Sequence, residues 1–182
     1  MVIVMLRISE IIGYPVICSD TGKKEGEVKD VLIDLNSKKL SALIIDCGNI
    51  LHKIKIIQFN DIFCIEKKFI KAKYKKNLIS KKKFMGSRDF YKKVDEIIGK
   101  EVVSEKGALI GFVQDILFKN NDGMILGLVL TNGFLDDIFS GIQIIPVDKS
   151  IDLSSSKILL SEKMKNTILN NIGGLKKFLE LE

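Results

Sequence analysis

The alternation of apolar and polar residues along this chain has the period of β-strands. It is clearest at residues 53–56, where lysine and isoleucine alternate and therefore lie on opposite faces of an extended backbone. Short segments rich in β-branched residues and bounded by glycine or turn residues predict strands. Such segments occur four times in each half of the chain, at residues 28–33, 40–45, 53–56 and 69–70, and again at 113–118, 124–130, 142–144 and 158–160.

The two sets of strands belong to an internal repeat. Residues 8–33 recur, with one deletion, at residues 94–118, so that ISEIIG is matched by VDEIIG and GEVKDVLI by GFVQDILF. Gly13 and Gly99 are 86 positions apart, and Asp30 and Asp115 are 85 apart. A period of this length indicates two whole domains, because solenoid repeats span only about 20 to 50 residues.

Strands this short favour small barrels over an open sheet, since closure removes exposed strand edges. The expected fold class is all-β, with two tandem small antiparallel β-barrels at residues 6–74 and 93–162 joined by a basic linker at 75–92. Each repeat has only about 70 residues for its core, so we expect the repeats to stabilise each other by packing. An apolar stripe at helical spacing predicts a C-terminal amphipathic helix at 163–182, formed by Met164, Ile168, Ile172, Leu175 and Leu179.

The order of these motifs resembles the PRC-barrel family, named for the cytoplasmic domain of the photosynthetic reaction centre H subunit. The resemblance rests on ISEIIG at 8–13, the Asp-Thr-Gly turn at 20–22, GEVKDVL at 26–32 and Ile-Pro-Val at 145–147. The first copy departs from the pattern at Gln58, where the second has Pro146. The same barrel forms the C-terminal domain of a ribosome-maturation factor. The resemblance implies a binding or scaffolding barrel and supplies no catalytic residues.

The sequence contains no assembled catalytic or metal-binding motif. His52 is the single histidine, and Cys18, Cys47 and Cys64 are 29 and 17 residues apart, whereas zinc needs clustered ligands. There is no Gly-x-x-x-x-Gly-Lys phosphate loop and no Gly-x-Ser-x-Gly elbow. The acid pair at 136–137 lacks the further ligands of a cation site. We expect a protein that is not an enzyme and that has no cofactor and no metal.

The residues two positions before and after each recurring aspartate, Asp30 and Asp115, are apolar. Strict alternation would therefore place both carboxylates on the apolar face of their strands. One interpretation is a binding carboxylate in each barrel. The other, which we favour, is an acceptor for backbone N–H groups at a bulge or turn, because a buried carboxylate must be hydrogen-bonded.

The connection between the repeats carries the basic charge of the chain. Residues 71–93 contain ten lysines and arginines and one aspartate, whereas the whole chain has a net charge of +6. Aromatic residues are interleaved with the lysines, so the segment is a candidate site for RNA phosphates or an anionic membrane surface. The favoured alternative is a solvated linker whose aromatic residues pack between the barrels. The candidate anion-binding residues are Lys75, Lys76, Lys81, Lys82, Lys83 and Arg88.

The loop at residues 133–141 is present in the second repeat alone. It places four apolar side chains between two glycines, which is typical of a protein-binding anchor where they are exposed and of a barrel plug where they are buried. The candidate protein-binding residues are Phe134, Leu135, Ile138 and Phe139. The C-terminal helix has two interpretations as well: it covers its own barrel, which we favour, or it docks a partner or a second copy.

The cysteines and the hydropathy of the chain predict its compartment. Three cysteines, all in the first repeat, do not form a disulfide framework and indicate reduced thiols in the cytoplasm. No apolar run reaches the roughly 20 residues that a membrane-spanning helix needs. The expected function is a non-catalytic cytoplasmic adaptor that binds another protein through the 133–141 loop or the cleft between the barrels. The alternative is an RNA- or ribosome-associated factor, and a homodimer is left open.

Overall fold

The chain forms two β-rich repeats of the same design. The structure, a computed structural model, describes residues 4–48, 53–85, 91–131 and 143–169. Short helices cover Ile8–Ile11, Lys81–Met85 and Glu162–Lys165. The strands of the first half are β1 (Met5–Arg7), β2 (Pro15–Cys18), β3 (Lys24–Asp34), β4 (Lys39–Asp46), β5 (Ile54–Gln58), β6 (Ile62–Ile65), β7 (Ile70–Ala72) and β8 (Ile79–Ser80).

The second half repeats this order. Its strands are β9 (Tyr91–Lys93), β10 (Glu101–Ser104), β11 (Leu109–Lys119), β12 (Ile125–Thr131), β13 (Gln143–Pro146) and β14 (Ile158–Leu160). The strands predicted from hydropathy are confirmed as β3, β4, β5 and β7 and as β11, β12, β13 and β14. The hydropathy pattern missed six further strands of two to four residues, which carry little periodicity. These are β1, β2, β6, β8, β9 and β10.

The strands assemble into two sheets that do not close into barrels within the described residues, so the prediction of closed antiparallel barrels is wrong. The first sheet has the order β6-β7-β2-β3-β4-β5-β8, and the second has the order β13-β12-β11-β10-β14. Each sheet contains one parallel pair, β2 with β7 and β10 with β14. The outermost strands are only two to four residues long. Very short edge strands limit edge-to-edge pairing, which removes the need for closure.

The two repeats exchange their first strands. β1, at the start of the first repeat, pairs antiparallel with β11 of the second, and Arg7 faces Leu117. β9, at the start of the second repeat, pairs antiparallel with β3 of the first, and Lys93 faces Leu32. Arg7 and Lys93 are equivalent positions of the repeat, as are Leu32 and Leu117. The exchange is therefore reciprocal, as in a two-fold symmetric dimer.

The hairpin turns of the two repeats meet in the same reciprocal way. Lys39 and Met124 are equivalent positions and form an antiparallel bridge with each other. The Leu40 N–H donates to the Gly123 carbonyl at 2.8 Å, and the Ile125 N–H donates to the Lys38 carbonyl at 3.0 Å. An approximate two-fold axis thus passes between Lys39 and Met124.

Both repeats share one apolar core. Buried side chains of the first repeat, such as Leu43 and Phe59, belong to the same contiguous cluster as Ile116 and Phe118 of the second. The rings of Phe59 and Phe118 meet edge to face, with centroids 6.4 Å apart. The expectation that the repeats pack on each other is confirmed.

The residues after each repeat complete its sheet. β8 pairs with β5, so that Ile79 faces Ile56, and Leu169 forms an antiparallel bridge with Ile144, the equivalent of Ile56. The Leu169 N–H donates to the Ile144 carbonyl at 2.9 Å, and the Ile144 N–H donates to the Leu169 carbonyl at 2.7 Å. Two hydrogen bonds to a sheet edge outweigh the weak helical preference of a single turn.

The predicted C-terminal helix is therefore wrong for residues 166–169, since the described helix ends at Lys165. Met164 and Ile168 pack against the main core, in agreement with the interpretation that this segment covers its own repeat. Residues 170–182 lie outside the described part of the chain. In the described residues, no helix is long and apolar enough to cross a membrane.

Candidate functional site

A groove of about 590 Å³ lies where the first turn of each repeat meets the long strand of the other repeat. The first turns are the helix Ile8–Ile11 and the helical turn Val94–Glu96, and the long strands are β11 and β3, respectively. Five pairs of equivalent residues line it, and four further residues of the groove wall have no equivalent there. The pairs are Ile8 and Val94, Ser9 and Asp95, Ile12 and Ile98, Lys29 and Gln114, and Asp30 and Asp115; the unmatched residues are Ile44, Ile54, Lys81 and Lys93. The groove therefore lies on the approximate two-fold axis.

The local sequence of each first turn fixes which apolar residues face the groove. In the first repeat, Ile8 and Ile11 are buried in the core, and the turn ends at Gly13, whose φ of 82° is one that glycine adopts readily. The residue between these anchors, Ile12, is 41% exposed. The second repeat places Ile98, which is 36% exposed, in the same way. Two equivalent isoleucines thus flank the groove with much of their surface in solvent.

The recurring aspartates stand at strand irregularities on the groove floor. The register of β3 with β4 shifts between Val28 and Asp30, and that of β11 with β12 shifts between Val113 and Asp115. The Val31 N–H donates to Asp30 Oδ1 at 2.7 Å, and the Ile116 N–H donates to Asp115 Oδ1 at 2.8 Å. The interpretation of these aspartates as acceptors for backbone N–H groups at a bulge is confirmed.

Each aspartate also contacts the beginning of the other repeat, which the sequence did not indicate. Asp115, 5% exposed, accepts hydrogen bonds from the Ser9 hydroxyl and, at 3.3 Å, from the Ser9 N–H. Asp30 lies 3.9 Å from the Lys93 ammonium group. Burial raises the pKa of the Asp30 carboxyl, while the Val31 N–H and Lys93 offset part of this effect and Asp95 adds to it.

The rim of the groove is positively charged on the side of the first repeat. Lys29 and Lys81 line it, and within the described residues neither ammonium group forms an ion pair with a carboxylate. Lys93 lies 3.9 Å from both Asp30 and Asp95. The position equivalent to Lys29 is Gln114, so the second repeat lacks this charge.

The basic segment at 71–93 is largely bound to the rest of the protein. Lys75 pairs with Glu25 at 3.0 Å, Lys73 donates to the Asn60 carbonyl at 2.6 Å, and Lys92 donates to the Ser154 carbonyl at 2.8 Å. The Lys76 ammonium group lies 5.2 Å from the ring centre of Tyr74. These contacts leave Lys81, Lys82 and Lys83 as the exposed lysines of the candidate set whose ammonium groups form neither an ion pair nor a ring contact within the described residues.

The aromatic residues of this segment divide between core and surface. Phe84 is 4% exposed and stacks on Tyr91, with ring centres 5.6 Å apart, within an apolar cluster of the first sheet. Tyr74 is half-exposed. Phe84 therefore anchors the helix Lys81–Met85 to β5. Its ring packs on the first sheet, whereas the favoured interpretation of the segment placed its aromatic residues between the barrels.

The other predicted site residues lie outside the described part of the chain: Phe134, Leu135, Ile138, Phe139 and Arg88. The single histidine, His52, lies outside it as well. Among the described residues no group of three or more histidine, cysteine or acidic side chains is placed to hold a metal ion. Cys18, Cys47 and Cys64 are free thiols, and burial raises the pKa of each, that of Cys18 to about 11. A raised pKa lowers the thiolate fraction and with it the nucleophilicity of these side chains.

Both repeats match one protein-family model. The PRC-barrel domain matches residues 3–79 and, a second time, residues 91–163. The chain belongs to the PRC-barrel family. The tandem PRC-barrel arrangement inferred from the motifs is confirmed, and both PRC-barrel domains contribute the paired residues of the groove. No curated protein matches the chain.

Proposed function

We propose that this tandem PRC-barrel protein is a non-catalytic adaptor that binds another protein in the groove between its two repeats. The observation that carries the proposal is the pair of equivalent, solvent-exposed isoleucines, Ile12 and Ile98, that flank one mainly apolar groove. Exposed apolar side chains grouped around a concavity favour protein binding, because their burial against a partner contributes about 25 cal/mol per Å².

The shared core supports this proposal. The groove walls come from both repeats, and the repeats are joined by strand exchange, a bridge between hairpin turns and a contiguous apolar cluster. Such walls require little rearrangement on binding, which lowers the entropic cost of association. The loop at 133–141 stays a second candidate contact surface of the same adaptor.

The second candidate function is an RNA- or ribosome-associated factor in the cytoplasm. It is favoured by the three consecutive exposed lysines, Lys81 to Lys83. It is weakened by the contacts that hold Lys73, Lys75 and Lys92 to the protein, because phosphate binding would have to compete with them.

The test is affinity capture from native cytosol with three matched forms of the protein. The first is the wild type, the second carries Ile12→Ser and Ile98→Ser, and the third carries Leu109→Ser. Leu109 is 56% exposed on β11 and does not line the groove, so it controls for the loss of exposed apolar surface.

A partner protein retained by the wild type and the Leu109 variant, at high salt and after nuclease treatment, but lost from the double variant supports the adaptor. The adaptor proposal is overturned in favour of RNA binding if the captured material is lost under three conditions. These are nuclease treatment, high salt, and the combined substitutions Lys81→Gln, Lys82→Gln and Lys83→Gln. Equal capture by all three forms rules out the groove as the docking surface.

A further inference from the structure

We infer that the groove takes a segment of the partner protein that is rich in aliphatic residues and acidic at one end, and that it binds this segment in a single orientation. The inference rests on the proposed protein-binding function and adds to it the chemistry and the direction of the bound segment. It is carried by the charges around the groove and by Lys29, whose equivalent in the second repeat, Gln114, is uncharged.

The apolar part of the groove selects aliphatic side chains. Ile8, Ile12 and Ile98 line it together with Ile44 and Ile54, and no aromatic ring contributes to it within the described residues. A volume of about 590 Å³ is that of a typical ligand pocket and exceeds what one side chain fills. Several consecutive or alternating aliphatic side chains of one segment are therefore needed to exclude water from it.

Asp30 and Asp115 are already matched by donors within the protein, and the carboxylate of the exposed Asp95 lies 3.9 Å from the Lys93 ammonium group. Asp115 accepts from Ser9 and Ile116, Asp30 accepts from Val31, and Lys93 lies between Asp30 and Asp95. A basic ligand would have to displace the donors of Asp30 and Asp115, or approach Asp95 next to the Lys93 ammonium group.

The lysines at the rim, by contrast, lack such partners within the described residues. Lys29 and Lys81 pair with no carboxylate among the described residues, and the exposed Lys82 and Lys83 follow directly. The charge that a ligand can complement is thus positive, and the complementary group is a carboxylate.

The direction of the segment follows from Lys29. Five pairs of equivalent residues line the groove, so a segment placed on them could bind in either of two opposite directions related by the two-fold axis. At the rim, Lys29 of the first repeat corresponds to the uncharged Gln114, and Lys81 also belongs to the first repeat side. An acidic end is therefore stabilised at the first repeat only, so the segment binds to the paired residues in one direction.

The first experiment is selection of random twelve-residue peptides displayed on phage against the full chain, with counter-selection on the Ile12→Ser, Ile98→Ser variant. We expect the enriched peptides to combine aliphatic residues with Asp or Glu at one end. One enriched synthetic peptide is then titrated against the variants. We expect Lys29→Gln to weaken its binding about 3- to 5-fold, as for a solvent-exposed ion pair, and the double isoleucine variant to weaken it more than about 10-fold.

The second experiment tests orientation. A nitroxide label at the acidic end of the peptide should broaden the amide NMR signals next to Lys29 in the wild type. In the exchange variant Lys29→Gln, Gln114→Lys, we expect the broadening to move toward position 114. A label that broadens both sides equally in the wild type overturns the single orientation.

The outcomes separate the two levels of the proposal. Peptides that require Ile12 and Ile98 but are neutral or basic overturn the acidic ligand and leave the adaptor function standing. Failure to enrich any peptide that depends on these isoleucines, or binding of RNA or anionic vesicles alone, overturns protein docking in the groove as well.

Discussion

The hydroxyl group of Ser9 in the first repeat donates a hydrogen bond to the buried carboxylate of Asp115 in the second. The Ser9 N–H donates to the other oxygen of the same carboxylate at 3.3 Å. The motifs ISEIIG and GFVQDILF, which define the repeat in the sequence, thus meet across the boundary between repeats. The same residues that mark the repeat also join its two copies.

Replacement of Asp115 by Ala should strongly destabilise the protein. It leaves the Ser9 N–H, the Ser9 hydroxyl and the Ile116 N–H without their acceptor in a buried site. We expect a loss of about 3 kcal/mol in the free energy of unfolding, measured by urea denaturation.

The matched control for Asp115→Ala is Ser9→Ala, which removes one donor and leaves the carboxylate two backbone donors. Its expected cost is about 1 kcal/mol. The double variant should cost less than the two single variants together, because both remove the same hydrogen bond. Full additivity would show that Ser9 and Asp115 do not interact in solution.

Deletion of residues 1–7 should affect the second repeat more than the first. The deletion removes β1, whose partner is β11, at Leu117, Phe118 and Lys119. We expect amide hydrogen exchange to accelerate in this part of β11, while the matching part of β3, which pairs with β9, keeps its protection. Faster exchange in β3 alone would contradict the exchange of strands.

Gly123→Ala should destabilise more than Gly107→Ala. Both glycines have a positive φ, 71° and 79°, so both substitutions incur about 1 kcal/mol of backbone strain. At Gly123 the added methyl group would also lie 3.0 Å from the Leu40 carbonyl oxygen and 3.2 Å from the Phe59 ring, both in the other repeat.

At Gly107 an added methyl group meets no atom within 4 Å. The difference between the two unfolding free energies therefore measures the packing between the hairpin turn and the other repeat, and we expect it to be about 1 kcal/mol or more. Equal losses would mean that the contact at Gly123 relaxes without cost.

Asp30→Asn should change how stability depends on pH. Burial raises the pKa of the Asp30 carboxyl above its ordinary value of 3.8, so the folded protein binds this proton more tightly than the unfolded chain. The contribution of Asp30 to the unfolding free energy therefore falls as the pH rises from about 3.8 through the raised pKa, and is constant above it.

The measurement is the unfolding free energy of the wild type and of Asp30→Asn in steps between pH 4 and neutral pH. We expect the wild type to lose stability relative to the variant as the pH rises through this window. A relative gain would show that Lys93 and the backbone N–H groups stabilise the carboxylate more than burial destabilises it.

The repeat and its family could be predicted from the sequence because both depend on local patterns of residues. Residues 28–33 and 113–118 carry β-branched runs, and glycines such as Gly13 and Gly99 mark turns whose backbone conformation favours glycine. Eight strands and the bulge role of Asp30 and Asp115 follow from these patterns. Whether the sheets close into barrels does not follow from these patterns, because closure depends on which strand edges pair.

The tertiary structure alone decided which repeat each segment joins. β1 and β9 are three residues long, and nothing in three residues distinguishes the strand of their own repeat from the equivalent strand of the other. The same holds for Leu169, whose pairing with Ile144 replaces the predicted helix. Hydrophobic periodicity states which face of a segment is buried, whereas its partner is chosen by the free energy of the whole assembled core. The sequence by itself therefore determined two copies of one β-rich unit, and only the folded chain made them a single interlocked body with a groove on its axis.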